Sequence, residues 1–447
     1  MKIFLNSLGC DKNLCDGEEM LGLLAEAGYL FTDEISEADI IIINSCCFIG
    51  DAQEESINAI IEAGAYKKTG RCRMLIVSGC LSQRFSEEIM RELPEVDGIL
   101  GTASYGDIVP LIEKIAENGK TGILGDINAP VHAGKKKVLC TGGHYAYLKI
   151  AEGCDKRCTY CVIPYVRGSY RSIPIEELVK QAKELVSGGV RELILVAQET
   201  TLYGLDMYGK KTLPLLLRKL SEIEELSWIR LMYCYPEEIT DELLDEIASN
   251  KKVVNYLDIP VQSASDAVLK AMGRRTDKAS LVRTINRIRE KVPDIALRTT
   301  LISGFPGETQ SDHEATLKFV RDMRFDRLGV FPYSKEDGTP AARMKGQILE
   351  SVKKKRRDEI MTLQQQISLE KSEEFVGRRL KVFIEGRDTE DDIIVARTYR
   401  DAPEVDGYIF IDSNRDFISG EIVTVTVTGA TEYDLTGELS DEETEFA

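Results

Sequence analysis

Histidine is scarce in this chain, positive charge is outnumbered and no apolar run is long. The three histidines, His132, His144 and His313, form no ligand pattern, and surface positions are expected for them. Lysine and arginine total 57 against 75 acidic residues, a formal net charge of -18. That balance disfavours long contact with a phosphate backbone, where basic side chains must replace condensed counterions. It points instead to a basic protein partner, with RNA contact left to any local basic patch. The longest apolar runs, such as Asp39 to Ile43, fall far short of the ~20 residues a membrane span needs. Met1 to Gly9 lacks the apolar stretch of a signal peptide. No membrane partner and a cytoplasmic location are therefore expected.

What is present is a chain of 447 residues, 43% hydrophobic, enough for about three domains at roughly 150 residues each. It carries eleven cysteines. Where thiols are kept reduced, cysteines serve metals or catalysis more readily than disulfides.

Three regions succeed one another. From residue 1 to 128, short apolar strands alternate with amphipathic helices: KIFLN, EEMLGLLAEAGY, DIIIIN, EESINAIIEAG and RMLIVS. This pattern predicts an open parallel sheet with crossover helices. Three of the strands run into cysteines, Cys10, Cys46 and Cys80, and in such a sheet the carboxyl ends of the strands share the ligand-binding edge. Residues 129–143, with the glycine- and lysine-rich AGKKKVLCTGG, read as a linker.

From 144 to 370, six strand-like runs are separated by helical patterns, which predicts an incomplete (βα)6 parallel barrel. Cys154, Gln198, Tyr233, Gln262, the SGFPGE segment and Tyr333 follow those strands, on the face where such a barrel carries its chemistry. After a helical stretch, residues 373–440 are rich in strands and include a strict Val/Thr alternation over 423–428, which predicts a small antiparallel β-barrel. Residues 441–447 form an acidic tail.

The strongest chemical signal is Cys154-Asp-Lys-Arg-Cys158-Thr-Tyr-Cys161. Three thiolates in eight residues hold three irons of a cubane cluster and leave the fourth iron open. A structural zinc would want a fourth cysteine or histidine close by, and none follows Cys161 closely. Cys10, Cys46 and Cys80 form a second constellation, for which a second cluster, plain buried thiols and a redox pair are the readings. Cys15, Cys47, Cys72, Cys140 and Cys234 fit neither set and read as packed or surface thiols. The run KKKRR, residues 353–357, reads as the solvated face of a helix, and GFPGE lacks the lysine and spacing of a phosphate loop. Gln198, Gln262 and Arg298 lie at or near strand ends, where they are candidates to contact a cofactor or a substrate carboxylate.

The CxxxCxxC spacing, with Tyr160 before the last cysteine, resembles the signature of the radical S-adenosylmethionine (SAM) superfamily. SLGCDKNL, INSCCFIGDAQEESI, VSGCLSQR, LKIAEGCDKRCTYCVIPYVRGSYRS, TTLISGFPGET and the closing β-region extend that likeness over nearly the whole chain to the methylthiotransferases. The resemblance implies a radical SAM barrel between an auxiliary-cluster domain and a TRAM domain. It further implies two 4Fe-4S clusters, one on Cys154, Cys158 and Cys161 and the other on Cys10, Cys46 and Cys80. SAM would be both methyl donor and radical source, with Tyr160 beside it, and an external electron donor would be needed.

Within the family, LVAQETTLYGLDMYG, FPYSKEDGTPA, DAPEVDG and EYDLTGE are similar to the branch that modifies an aspartate of the twelfth small-subunit ribosomal protein, free or within the ribosome. The net acidity agrees with a basic ribosomal protein as partner. The tRNA-modifying branch, which typically has a GQNVNSY-like segment in place of AQETTLYG, is the alternative. A non-enzymatic iron-sulfur carrier or RNA-binding scaffold is the other. Cys47 stands where a small residue is more familiar, and Ser263 where histidine is. The acidic DTEDD, residues 388–392, is the candidate docking face.

Overall fold

The computed structural model describes residues 1–131, 136–390 and 392–440. The tail 441–447, His132 and Asp391 of the DTEDD stretch lie outside the described residues.

The first sheet has six strands in the order Leu30–Phe31, Lys2–Ser7, Ile40–Ser45, Met74–Gly79, Gly98–Leu100 and Thr121–Ile123, all paired in parallel. The run IIII in its centre suits a strand covered on both faces. Ile41, Ile43, Leu75 and Val77 pack on one side and Ile40, Ile42, Met74 and Ile76 on the other, as the two-residue period requires. The sequence pattern marks the three central strands. The outer three are two or three residues long, too short to show a period.

The second sheet follows sequence order: Tyr145–Lys149, Glu192–Val196, Trp228–Leu231, Val253–Asp258, Ala296–Ser303 and Arg327–Pro332, again all parallel. These are the six expected barrel strands, and no pairing joins the first to the sixth. Leu148, Leu193, Leu195, Ile229, Leu257 and Leu297 face the surrounding helices. Tyr145, Tyr147, Ile194, Val196, Trp228 and Tyr256 form a separate inner cluster with Phe383 and Ala402 of the last domain.

The last five strands, Arg379–Asp388, Ile393–Thr398, Ile409–Ile411, Leu435–Leu439 and Ile422–Ala430, close into a barrel. Val423, Val425 and Val427 point into it, while Thr424 and Thr426 stay half-exposed and Thr428 is exposed. Its loop 401–407 enters the base of the larger barrel. Asp401 is ion-paired to Arg327, Glu404 accepts a bond from the Tyr145 hydroxyl at 3.0 Å, and Asp406 accepts one from Tyr256 at 2.7 Å.

Two expectations change. His144 and His313 are buried, not superficial, each bonded to a glutamate: Glu385 at 2.9 Å and Glu359 at 2.6 Å. The scarcity of histidine says nothing about burial once a carboxylate is at hand to satisfy the ring. In the run 353–357, Lys353 and Arg356 turn inward, donating to the Tyr333 carbonyl and to Glu308. The strap after residue 135 is irregular but pinned: Lys137 pairs with Glu18 at 3.5 Å, both buried, and the Val138 amide bonds the Glu18 carbonyl.

Candidate active site

Cys10, Cys46 and Cys80 each follow a strand of the first sheet. Cys10 precedes the helix Asp11–Glu26, Cys46 comes straight after Ile40–Ser45, and Cys80 opens the helix Cys80–Arg84. Polar side chains lock the strand ends together. Asn13 donates to the Leu8 carbonyl, Asn44 to Ser7 Oγ and to the Asn13 carbonyl, and Ser78 Oγ to Asn44 Oδ1. Gly9 has φ +88°, and a Cβ there would lie 2.6 Å from Cys46 Sγ. Glycine is therefore what lets the first two cysteine loops meet.

Burial pushes the Cys46 thiol up to about 12, and the neighbouring Cys10 and Cys80 add to the effect. The same proximity does not extend to Cys47 in full. Its surroundings are Cys80, Arg84 and Cys46, and its side chain lies in the apolar cluster with Ile41, Leu75 and Val77.

The second set sits beyond the first barrel strand. The Cys154 amide bonds the Gly168 carbonyl, the Cys161 amide bonds the Cys158 carbonyl, and Thr159 is held by the Met272 and Ala271 carbonyls. Gly153 has φ +80°, and a Cβ there would fall 2.0 Å from the Ser169 carbonyl oxygen. Burial raises the Cys154 thiol to about 11, opposed by the Lys156 amide, and raises Cys161 as well. Cys154 and Cys158 lie close enough to weigh on the Cys161 thiol.

Tyr160 is edge-on to Phe305, with centroids 6.4 Å apart. Gln198 donates to Glu152 at 2.6 Å, and its Oε1 is buried without a partner, as is Gln262 Oε1. Gln262 has φ +68°. Arg298 is placed differently from the expectation. It is the third residue of Ala296–Ser303, not its end, and its guanidinium is taken by Asp258 at 3.0 Å and Asp406 at 3.4 Å. One carboxylate comes from the neighbouring barrel strand and the other from the loop 401–407, so Arg298 takes part in the contact with the small barrel.

Sequence reasoning passed over several residues that the fold brings here. Tyr235 Oη lies 4.0 Å from Cys158 Sγ, with Arg274 stacked on the same ring at 4.3 Å. Glu199 is fully buried and pushed up to about 7 by that burial, and its Oε2 has no hydrogen-bond partner although Lys156 stands 3.9 Å away. Its signal was its place, one residue beyond Gln198 at a strand end. Between the two cysteine sets lies a buried charge cluster. Lys149 pairs with Asp16 and, at 3.0 Å, with Glu152, and Arg167 pairs with Asp16 at 2.6 Å and Glu152 at 3.0 Å. A cavity of about 250 Å³ opens beside Glu152 and Arg167.

The donor chemistry decides what fits. Among the described residues no group of His, Cys, Asp or Glu converges tightly enough for a single metal ion. A cubane instead presents its irons at separate corners and takes one thiolate at each. A buried thiol becomes a thiolate most readily against a cationic centre. The orphan acceptors of Gln198, Gln262 and Glu199 leave room for the donors of a polar ligand. Both cysteine sets fit an iron-sulfur cluster.

Comparison with known proteins agrees with this geometry. Residues 148–320 match the Radical SAM superfamily, residues 2–101 the Uncharacterized protein family UPF0004, and residues 376–439 the TRAM domain. A protein of Lachnoclostridium phytofermentans, named ribosomal protein uS12 methylthiotransferase RimO, is 58% identical over 98% of this chain and 99% of its own. The proteins of that name from Thermoanaerobacter sp. and Clostridioides difficile are 48% and 45% identical, each over at least 97% of both chains. The chain belongs to the RimO family.

As a RimO-family protein it is a radical SAM methylthiotransferase, and an iron-sulfur cluster and SAM are its cofactors. The same fold recurs in a radical SAM methyltransferase, TsrM, of Kitasatospora setae solved with cobalamin and a 4Fe-4S cluster bound. It is 13% identical with a TM-score of 0.57, covering 85% of this chain and 79% of that one. The cobalamin-dependent radical enzyme OxsB with aqua-cobalamin and SAM bound has a TM-score of 0.51 at 16% identity, over 76% and 54% of the two chains.

Proposed function

We propose that this protein adds a methylthio group to the β-carbon of an aspartate in ribosomal protein uS12, using one cluster on Cys154, Cys158 and Cys161 and a second on Cys10, Cys46 and Cys80. The observation that carries the reading is the meeting of two three-cysteine sets from different domains across one buried charge cluster. Cys154, Cys158 and Cys161 would hold the cluster whose electron cleaves SAM to a radical able to take hydrogen from an unactivated carbon, and Cys10, Cys46 and Cys80 would hold the one that presents sulfur. The chain's own part is positioning. Gln198, Gln262 and Glu199 offer unpartnered acceptors for the polar groups of SAM, Tyr160 and Phe305 wall the site, and the apolar barrel excludes water.

A basic substrate suits the net charge of -18, since complementary charge speeds encounter and orients docking. A ribosomal protein substrate, met free or on the ribosome, places the reaction in the cytoplasm with an external one-electron donor. Among the described residues no helix is long and apolar enough to cross a membrane. The deciding assay offers the reconstituted, reduced enzyme uS12 and tRNA together. Methylthio-aspartate in uS12 is the expected product, and modification of the tRNA alone would overturn the substrate assignment. Cys158→Ala is expected to abolish 5′-deoxyadenosine release.

A further inference from the structure

The side chain of Arg167 touches both halves of the site. It follows the short helix Ile163–Val166, six residues beyond Cys161, and is fully buried. Its Nε donates to Cys80 Sγ at 3.3 Å, Nη1 to Asp16 and Glu152, and Nη2 to Asn13 Oδ1 at 3.1 Å. Asn13 and Asp16 lie on the helix that begins after Cys10, and Glu152 stands two residues before Cys154 and binds Gln198. One guanidinium thus reaches Cys80 directly and the supports of both cysteine sets.

We propose that Arg167 is the positioning residue of the second cluster: it holds Cys80 by a charge-assisted N–H bond, fixes the two cysteine sets relative to each other, and makes the cluster easier to reduce. The charge count supports this. Asp16 and Glu152 pair with Lys149 and Arg167, and the Nε–H of Arg167 is the side-chain donor set against Cys80 Sγ, where a thiolate would add negative charge. Hydrogen bonds to ligating sulfur and nearby charge set the potential of an iron-sulfur centre, because reduction adds negative charge there. Lysine cannot reproduce the contact, since one ammonium does not span Cys80, Asn13 and two carboxylates as a planar fork does.

The inference rests on Cys10, Cys46 and Cys80 holding a cluster, and the test separates the two. In a Cys154→Ala/Cys158→Ala/Cys161→Ala background, only the second site remains to bind iron. There, Arg167→Lys and Arg167→Gln are compared with the parent by iron content, reductive titration followed by electron paramagnetic resonance, and iron release to a chelator. Both substitutions are expected to move the midpoint potential negative, glutamine further than lysine, to alter the spectrum, and to speed iron release by about tenfold or more. Asp16→Asn removes a negative charge from the same cage, keeps Arg167, and is expected to move the potential the opposite way.

Unchanged potential and release in iron-loaded Arg167→Lys would overturn the proposal. So would a negative shift, or none, in Asp16→Asn, which decides the matter if the arginine variants do not fold. A background protein that binds no iron with Arg167 intact would overturn the two-cluster reading, and this inference with it.

Discussion

Arg397 of the small barrel reaches Glu192 of the second large-barrel strand at 2.5 Å, with neither side chain exposed. Arg230 bonds the other oxygen of the same carboxylate at 2.8 Å. Removing one member of a buried ionic set leaves the others uncompensated, which costs about 3–5 kcal/mol. Glu192→Ala is therefore expected to lower the denaturant midpoint and to make the 376–439 region sensitive to protease, both readable in one urea series with limited digestion.

The same interface has a pH signature. Burial opposes the charge on Glu192, but Arg397 and Arg230 outweigh it and hold the carboxyl below its ordinary 4.5. Asp401 is likewise held below its ordinary 3.8, with Arg327 first among the groups that overcome burial. Groups with lowered values stabilise the fold above their unfolded values and lose that contribution as pH falls through the folded ones. Asp406 runs the other way: burial raises it, so its contribution is lost as pH rises. Glu192 and Asp401 are therefore expected to withdraw stability from this interface on acidification below about pH 4.5, and in Glu192→Gln the loss is expected to be shallower.

Gly153 tests whether the cluster loop tolerates any departure from its path. A side chain there meets the Ser169 carbonyl at 2.0 Å and forces a non-glycine residue to positive φ, a strain of about 1–3 kcal/mol before the clash is counted. Gly153→Ala is expected to cut iron content to about half by emptying the adjoining site while secondary structure persists. Full iron content would show that the loop can move aside.

The two adjacent cysteines should separate cleanly. Cys46→Ala is expected to abolish methylthio transfer but to leave SAM cleavage, because it empties the second site alone. Cys47→Ala removes a small apolar group from a packed cluster, costs about 1 kcal/mol or less, and is expected to keep both clusters.

Legibility in the sequence followed periodicity. The isoleucine run of Ile40–Ser45 and the Val/Thr alternation of Ile422–Ala430 announce a doubly covered strand and a half-covered one, and the structure has both. The three cysteines of 154–161 are legible because one loop carries them. Cys10, Cys46 and Cys80 are legible only through a topological argument about strand ends. Glu199 shares the strand-end mark through its neighbour Gln198, but Arg167, Tyr235 and Arg274 are qualified by burial beside a partner distant in the chain. Arg298 shows the same limit: its carboxylate partners, Asp258 of the neighbouring strand and Asp406 of the loop 401–407, lie far from it in the chain.

That loop also bears on how matter moves through the molecule. With Asp401, Glu404 and Asp406 bonded to residues at the base of the barrel, the rim that carries the cysteines is expected to be the shared way in and out for cofactor, sulfur and substrate chain. Arrival and departure at a shared doorway cannot be simultaneous. Spent cofactor has to leave before the next can enter, and a bulky protein substrate resting on that doorway would set the order in which they do so.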